Sequence, residues 1–154
     1  MQQLQLRDFV ENPVHNALMK RNSRLSLALH TLGHMAAEPD QVKTSADIAA
    51  HAGTNAVVVR RVLGRLREAG LLNSEKGHAG GWRLARAPHQ ISLADIYLAL
   101  DEQLVAPSDE FGKNACSVEH ALHKRVTGIM VDLEGKLIEQ LAQTSLADVG
   151  RSGS

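Results

Sequence analysis

A mainly α-helical fold with one small β-hairpin, followed by a long C-terminal helix, is predicted by three observations. Residues 44–70 carry a helix-capping pair, a short helix, a glycine turn and a second, arginine-rich amphipathic helix. Two short strand candidates follow, separated by a glycine-rich tip. Beyond them an apolar stripe runs at steps of three and four from Leu122 to Leu141. The first two observations are the grammar of a winged helix-turn-helix, in which one helix enters the major groove of double-stranded DNA and the hairpin lies against the adjoining backbone.

Each element follows from local chemistry. Thr44 with Asp47 three residues on forms a capping box, each side chain satisfying an orphaned backbone N–H at a helix start. A helix over Ser45–His51 is expected. Gly53 supplies left-handed backbone for a tight turn, and Thr54 or Asn55 caps the next helix. There Val59, Val62, Leu63 and Leu66 recur at i, i+3, i+4 and i+7, a single stripe for the core. The opposite face carries Val57, Arg61, Gly64 and Glu68, flanked by Val58, Arg60 and Arg65, so three arginines form a cationic ridge. Gly70 ends the helix. Leu71–Glu75 and Trp82–Leu84 are strand candidates, joined through Gly77, Gly80 and Gly81, whose turns are closed to residues with a Cβ.

These segments resemble the Rrf-two (Rrf2) family of bacterial winged-helix transcription regulators. The resemblance rests on residues 24–32 (RLSLALHTL), 45–49 (SADIA), 63–72 (LGRLREAGLL), 91–96 (ISLADI) and 144–149 (TSLADV). It is strongest in the wing, residues 74–85 (SEKGHAGGWRLA). It covers roughly residues 19–149 and implies a DNA-binding repressor acting as a homodimer. Family members that bind an iron-sulfur cluster carry three cysteines in the loop before the long helix. Here the corresponding region, Asp101 to Ser117, offers Cys116 alone, so a cluster held by three thiolates is not expected. The expected organisation is an N-terminal extension over 1–18, a winged domain over 19–100, a sensor-type loop over 101–117, and a dimerisation helix with a terminal helical turn over 118–149.

The 154-residue chain has a formal net charge of zero, but the charge is segregated. Residues 55–86 hold Arg60, Arg61, Arg65, Arg67, Lys76, Arg83 and Arg86 against Glu68 and Glu75, a net +5. Residues 101–148 hold nine acids against Lys113, Lys124, Arg125 and Lys136, a net −5. One half suits phosphate and the other repels it. No apolar run approaches the ~20 residues of a membrane span, and the N-terminus lacks the apolar core of a secretory signal. A single cysteine forms no internal disulfide, and a cytoplasmic location is the default expectation.

Ser117 is a candidate cap for a helix reaching about Gln143, in which Leu122, Val126, Ile129, Leu133, Leu137 and Leu141 form the stripe. At 1.5 Å per residue the helix spans roughly 40 Å, wider than the small domain it leaves, so part of the stripe is expected to pair with a second chain. Gly128 and Gly135, seven apart, lie nearly on one face and would admit a close helix. Folding back onto its own domain is the alternative.

No catalytic constellation is legible, and the chain is not read as an enzyme. His30 and His34, at i and i+4, have zinc-ligand spacing but lack a third ligand in the same segment. Cys116, His120 and His123 lack a second cysteine. No metal and no cofactor are therefore assigned. The glycine run at 77–81 lacks the Lys-Ser/Thr of a phosphate loop, and Trp82 reads as a packing residue. Asn55, Val57, Val58 and Arg61 are expected at base edges, and Arg60, Arg65, Lys76, His78 and Arg83 at phosphates. Cys116 is either a thiol sensor of an oxidant or electrophile, activated at a helix N-terminus, or a small buried residue. A non-covalent small-molecule effector is the other regulatory option. A winged-helix protein-interaction module without DNA binding is the alternative function.

Overall fold

The computed structural model describes residues 23–78, 80–101 and 116–151. The expected extension over 1–18, and residues 102–115 of the sensor-type loop, lie outside them. Helices α1 (Ser23–Ala37), α2 (Ser45–Ala52) and α3 (Ala56–Glu68) precede strands β1 (Leu72–Glu75) and β2 (Gly81–Leu84). A 3-10 turn (Pro88–Gln90), α4 (Leu93–Ala99), α5 (Ser117–Ala142) and α6 (Leu146–Arg151) complete the order. The sheet is a two-stranded antiparallel hairpin, with Leu72 opposite Leu84 and Glu75 opposite Gly81.

The capping logic holds in detail. Thr44 Oγ1 accepts from Asp47 N–H (3.1 Å), and Asp47 Oδ2 accepts from Thr44 N–H (3.2 Å). Gly53 closes α2 at φ 65°, a left-handed conformation that costs a residue with a Cβ ~1–2 kcal/mol. Asn55 caps α3. Val59, Val62, Leu63 and Leu66 are all buried, and with Leu32, Leu71, Leu72, Ile91 and Ile96 they make the centre of one core.

Two boundaries shift for physical reasons. Leu71 lies outside β1 because its N–H bonds Leu66 O (2.9 Å), finishing α3 rather than starting the strand. The N-cap of α5 is Cys116, not Ser117. Glu119 reaches back so that its Oε2 accepts the Cys116 N–H (2.8 Å), which leaves Ser117 as the first helical residue. Trp82 is buried as a packing residue, its Nε1 donating to Ser45 Oγ (2.9 Å), while its backbone bridges to Lys43. That bridge ties the wing to the residues entering α2. Gly81 has no alternative here: at φ 156°, a Cβ would meet Val42 Cγ1 at 2.6 Å and Lys43 O at 2.7 Å.

The end of the chain returns to the winged domain. Leu93 N–H bonds Thr144 O and Leu146 N–H bonds Ile91 O, both at 2.9 Å, and α6 packs on α1 with Leu146 fully buried. Helix α5 leans on α4, where the buried Tyr97 hydroxyl donates to Glu134 Oε1.

Candidate nucleic-acid interface

Helix α3 presents its N-terminal end outward because its core stripe faces the other way. Asn55 Oδ1 accepts from both Val57 N–H (3.1 Å) and Val58 N–H (3.0 Å), so two of the orphan donors at the start of the helix are satisfied by its cap. Immediately beyond the cap Val57 stands 62% exposed, an apolar side chain on a surface that otherwise carries charge. Val58, Arg60, Arg61 and Arg65 are exposed beside it. Because the Asn55 oxygen is committed to the cap, only its amide NH2 is left to donate outward, which rules out a bidentate contact using both amide atoms.

The wing contributes a second basic segment. Lys76 and His78 are exposed on the turn between β1 and β2. Arg83 is half-buried and lies 3.6 Å from Glu75 Oε1 across the hairpin, so its charge is partly neutralised. Arg67 is held by its own domain, Nη1 donating to Ser74 Oγ (3.1 Å). Helix and wing are rigidly related, since α3 packs directly on β1.

On α5 the apolar stripe divides. Leu122, Val126, Ile129 and Leu133 are 42–60% exposed, whereas Leu137 and Leu141 are half-buried in the part that rests on the domain. No residue of this 26-residue helix is fully buried. The added Cβ at Gly128 or Gly135 would meet nothing within 4 Å, so the surface over both is open. Cys116 is exposed, which removes the buried, inert alternative. His120 does not direct its Nδ1 at the thiol; that nitrogen lies 3.2 Å from the Cys116 carbonyl oxygen.

One cluster was only half visible in the sequence. His30 and His34 of α1 meet His51 of α2, with ring centroids 4.6–5.1 Å apart. The third imidazole comes from another helix, seventeen residues beyond His34, so no spacing rule applied along one segment would have found it.

Among the described residues, no helix is long and apolar enough to cross a membrane. Residues 21–152 match the family model of Rrf2, described as iron-dependent transcriptional regulators. The chain is 33% identical over 131 residues to YwnA of Bacillus subtilis, a candidate HTH-type transcriptional regulator, covering 83% of this chain and 95% of that one. It is 30% identical over 132 residues to slr0846 of Synechocystis, of the same description, covering 85% and 87%. Among solved structures, IscR of T. potens superposes with a TM-score of 0.56 at 25% identity, over 84% of this chain and 82% of the other. The donors that would hold an iron-sulfur cluster are not here: the chain has one cysteine, and its neighbour His120 faces a carbonyl. With matching segment order, a buried core stripe, a glycine-built wing and a family model spanning every described residue, the chain belongs to the Rrf2 family of winged-helix transcriptional regulators and is not an enzyme.

Proposed function

We propose that this protein is a sequence-specific DNA-binding repressor that acts as a homodimer on a two-half-site operator. The observation that carries the reading is the outward N-terminal end of α3, where exposed Val57 and Val58 adjoin Arg60, Arg61 and Arg65 beside a basic wing. Apolar side chains at a groove-facing helix start suit thymine methyl groups, and arginine suits guanine. In this reading Asn55, Val57, Val58 and Arg61 approach base edges, and Arg60, Arg65, Lys76, His78 and Arg83 meet phosphates. A protein-binding surface would favour fewer exposed charges at its centre.

The exposed half of the α5 stripe supports pairing with a second copy, since a closed twofold dimer covers the same face on both chains. Two recognition helices must then sit about 34 Å apart to reach successive major grooves.

Selection of genomic fragments with purified protein tests DNA binding and yields the operator. On that operator, Arg61→Ala should relax preference at one position, costing about 1–3 kcal/mol, while Lys76→Ala should weaken all sequences alike. Binding isotherms for both variants that match the wild type would remove this docking. Regulation through the thiol is supported by the exposure of Cys116 at the N-cap of α5. Diamide should then release operator DNA from the wild type and not from Cys116→Ser. Equal release from both would eliminate the thiol as sensor.

A further inference from the structure

Helix α1 places His30 and His34 one turn apart on one face, and the last turn of α2 brings His51 against them. One candidate ligand atom from each ring lies within 4.8 Å of the others. The tightest pair, His34 Nε2 and His51 Nε2, is separated by 3.2 Å. Two nitrogens bound to one tetrahedral zinc at ~2.05 Å would be about 3.3 Å apart. The pair is therefore already at ligand spacing across two helices, and the third ring needs a displacement of up to about 1.5 Å to complete a facial set.

We propose that His30, His34 and His51 form a mononuclear binding site for a divalent transition metal ion of the zinc class. Three neutral imidazoles with an open position are a donor set suited to zinc, nickel or copper, and unsuited to a thiolate-held cluster. The rings line a cavity of about 240 Å³, enough for an ion and a water ligand. Thr31 lines the same cavity, is 4% exposed, and its Oγ1 lacks a hydrogen-bond partner among the described residues. A hydroxyl in that state is unsatisfied unless something polar enters. Lys43, the one lysine or arginine lining the cavity among the described residues, is neutralised by Glu38 Oε2 at 2.6 Å, so little positive charge opposes an incoming ion. An occupied site would join α1 to the first helix of the helix-turn-helix.

The test needs no DNA and so stands apart from the function proposed above. The untagged full-length chain, stripped with a chelator, is titrated with cobalt(II), and zinc affinity is then measured against a chromophoric chelator. Tetrahedral cobalt bands, one ion per chain and displacement by zinc are expected. His34→Ala and His51→Ala should each weaken zinc by roughly a hundredfold or more, beyond the ~10–100-fold that loss of an outer partner costs. His89→Ala, in the 3-10 turn, should bind as the wild type does. All three rings are exposed, and circular dichroism verifies that the variants fold; His34→Gln substitutes if an alanine variant does not. Zinc affinity equal in the wild type and in a folded His34 or His51 variant would overturn the site, as would the absence of cobalt bands from the wild type.

Discussion

Asn55 carries two duties on one side chain. Its oxygen holds the first backbone donors of α3, and its amide nitrogen, which takes no part in the cap, belongs to an exposed residue beside the proposed DNA surface. Asn55→Ala should therefore lower stability by about 1 kcal/mol in urea unfolding, the usual loss for a helix cap. Asn55→Asp separates the duties: it keeps the cap and places a negative charge toward phosphate, so stability should hold while operator affinity falls. A variant that loses both equally would show that the residue acts on DNA only through the helix. The cap was legible in the sequence because capping depends on neighbours two and three residues away. The histidine cluster was not, because its members meet only after α1 and α2 have packed.

Local signals fixed the helices and the hairpin wherever one element could satisfy itself, as at Thr44 with Asp47 and along the Val59-to-Leu66 stripe. They missed what depends on the meeting of elements. The split of the α5 stripe follows from where α4 touches it, and the course of Leu146 into the core follows from backbone bonds to Ile91 and Leu93. A further capping pair marks this return: Asp148 Oδ2 accepts from Ser145 N–H (2.9 Å) and from Ser145 Oγ (2.8 Å). Those bonds, backbone first, and then the nearby Arg151 hold the Asp148 carboxyl below its ordinary 3.8. The folded pKa is the lower one, so the stabilisation is complete above about pH 4 and is lost as pH falls through the folded value. Asp148→Asn should therefore be less stable than the wild type at neutral pH, with the gap narrowing in acid. A gap independent of pH, followed by urea unfolding from pH 7 to pH 3, would assign the effect to packing instead.

At the scale of the whole molecule, the winged domain and α5 differ in what they expose, one presenting cations and the other an uncovered apolar edge. If that edge is the dimer seam, Leu133→Glu would bury an unpaired ion there and should yield monomers in sedimentation at micromolar protein, with operator affinity falling in parallel. A dimer that survives the change would place the seam elsewhere. The fully buried Leu146 has a further implication for synthesis. Domains fold as their segments leave the ribosome, N-terminal parts first. Here the recognition helix emerges early, yet the core behind it lacks a member until the penultimate helix has been made and the chain has doubled back. A nascent chain thus has no complete winged domain before it has a complete α5. Competence for the proposed DNA binding and for the proposed pairing would thus arrive together, once α6 has been made.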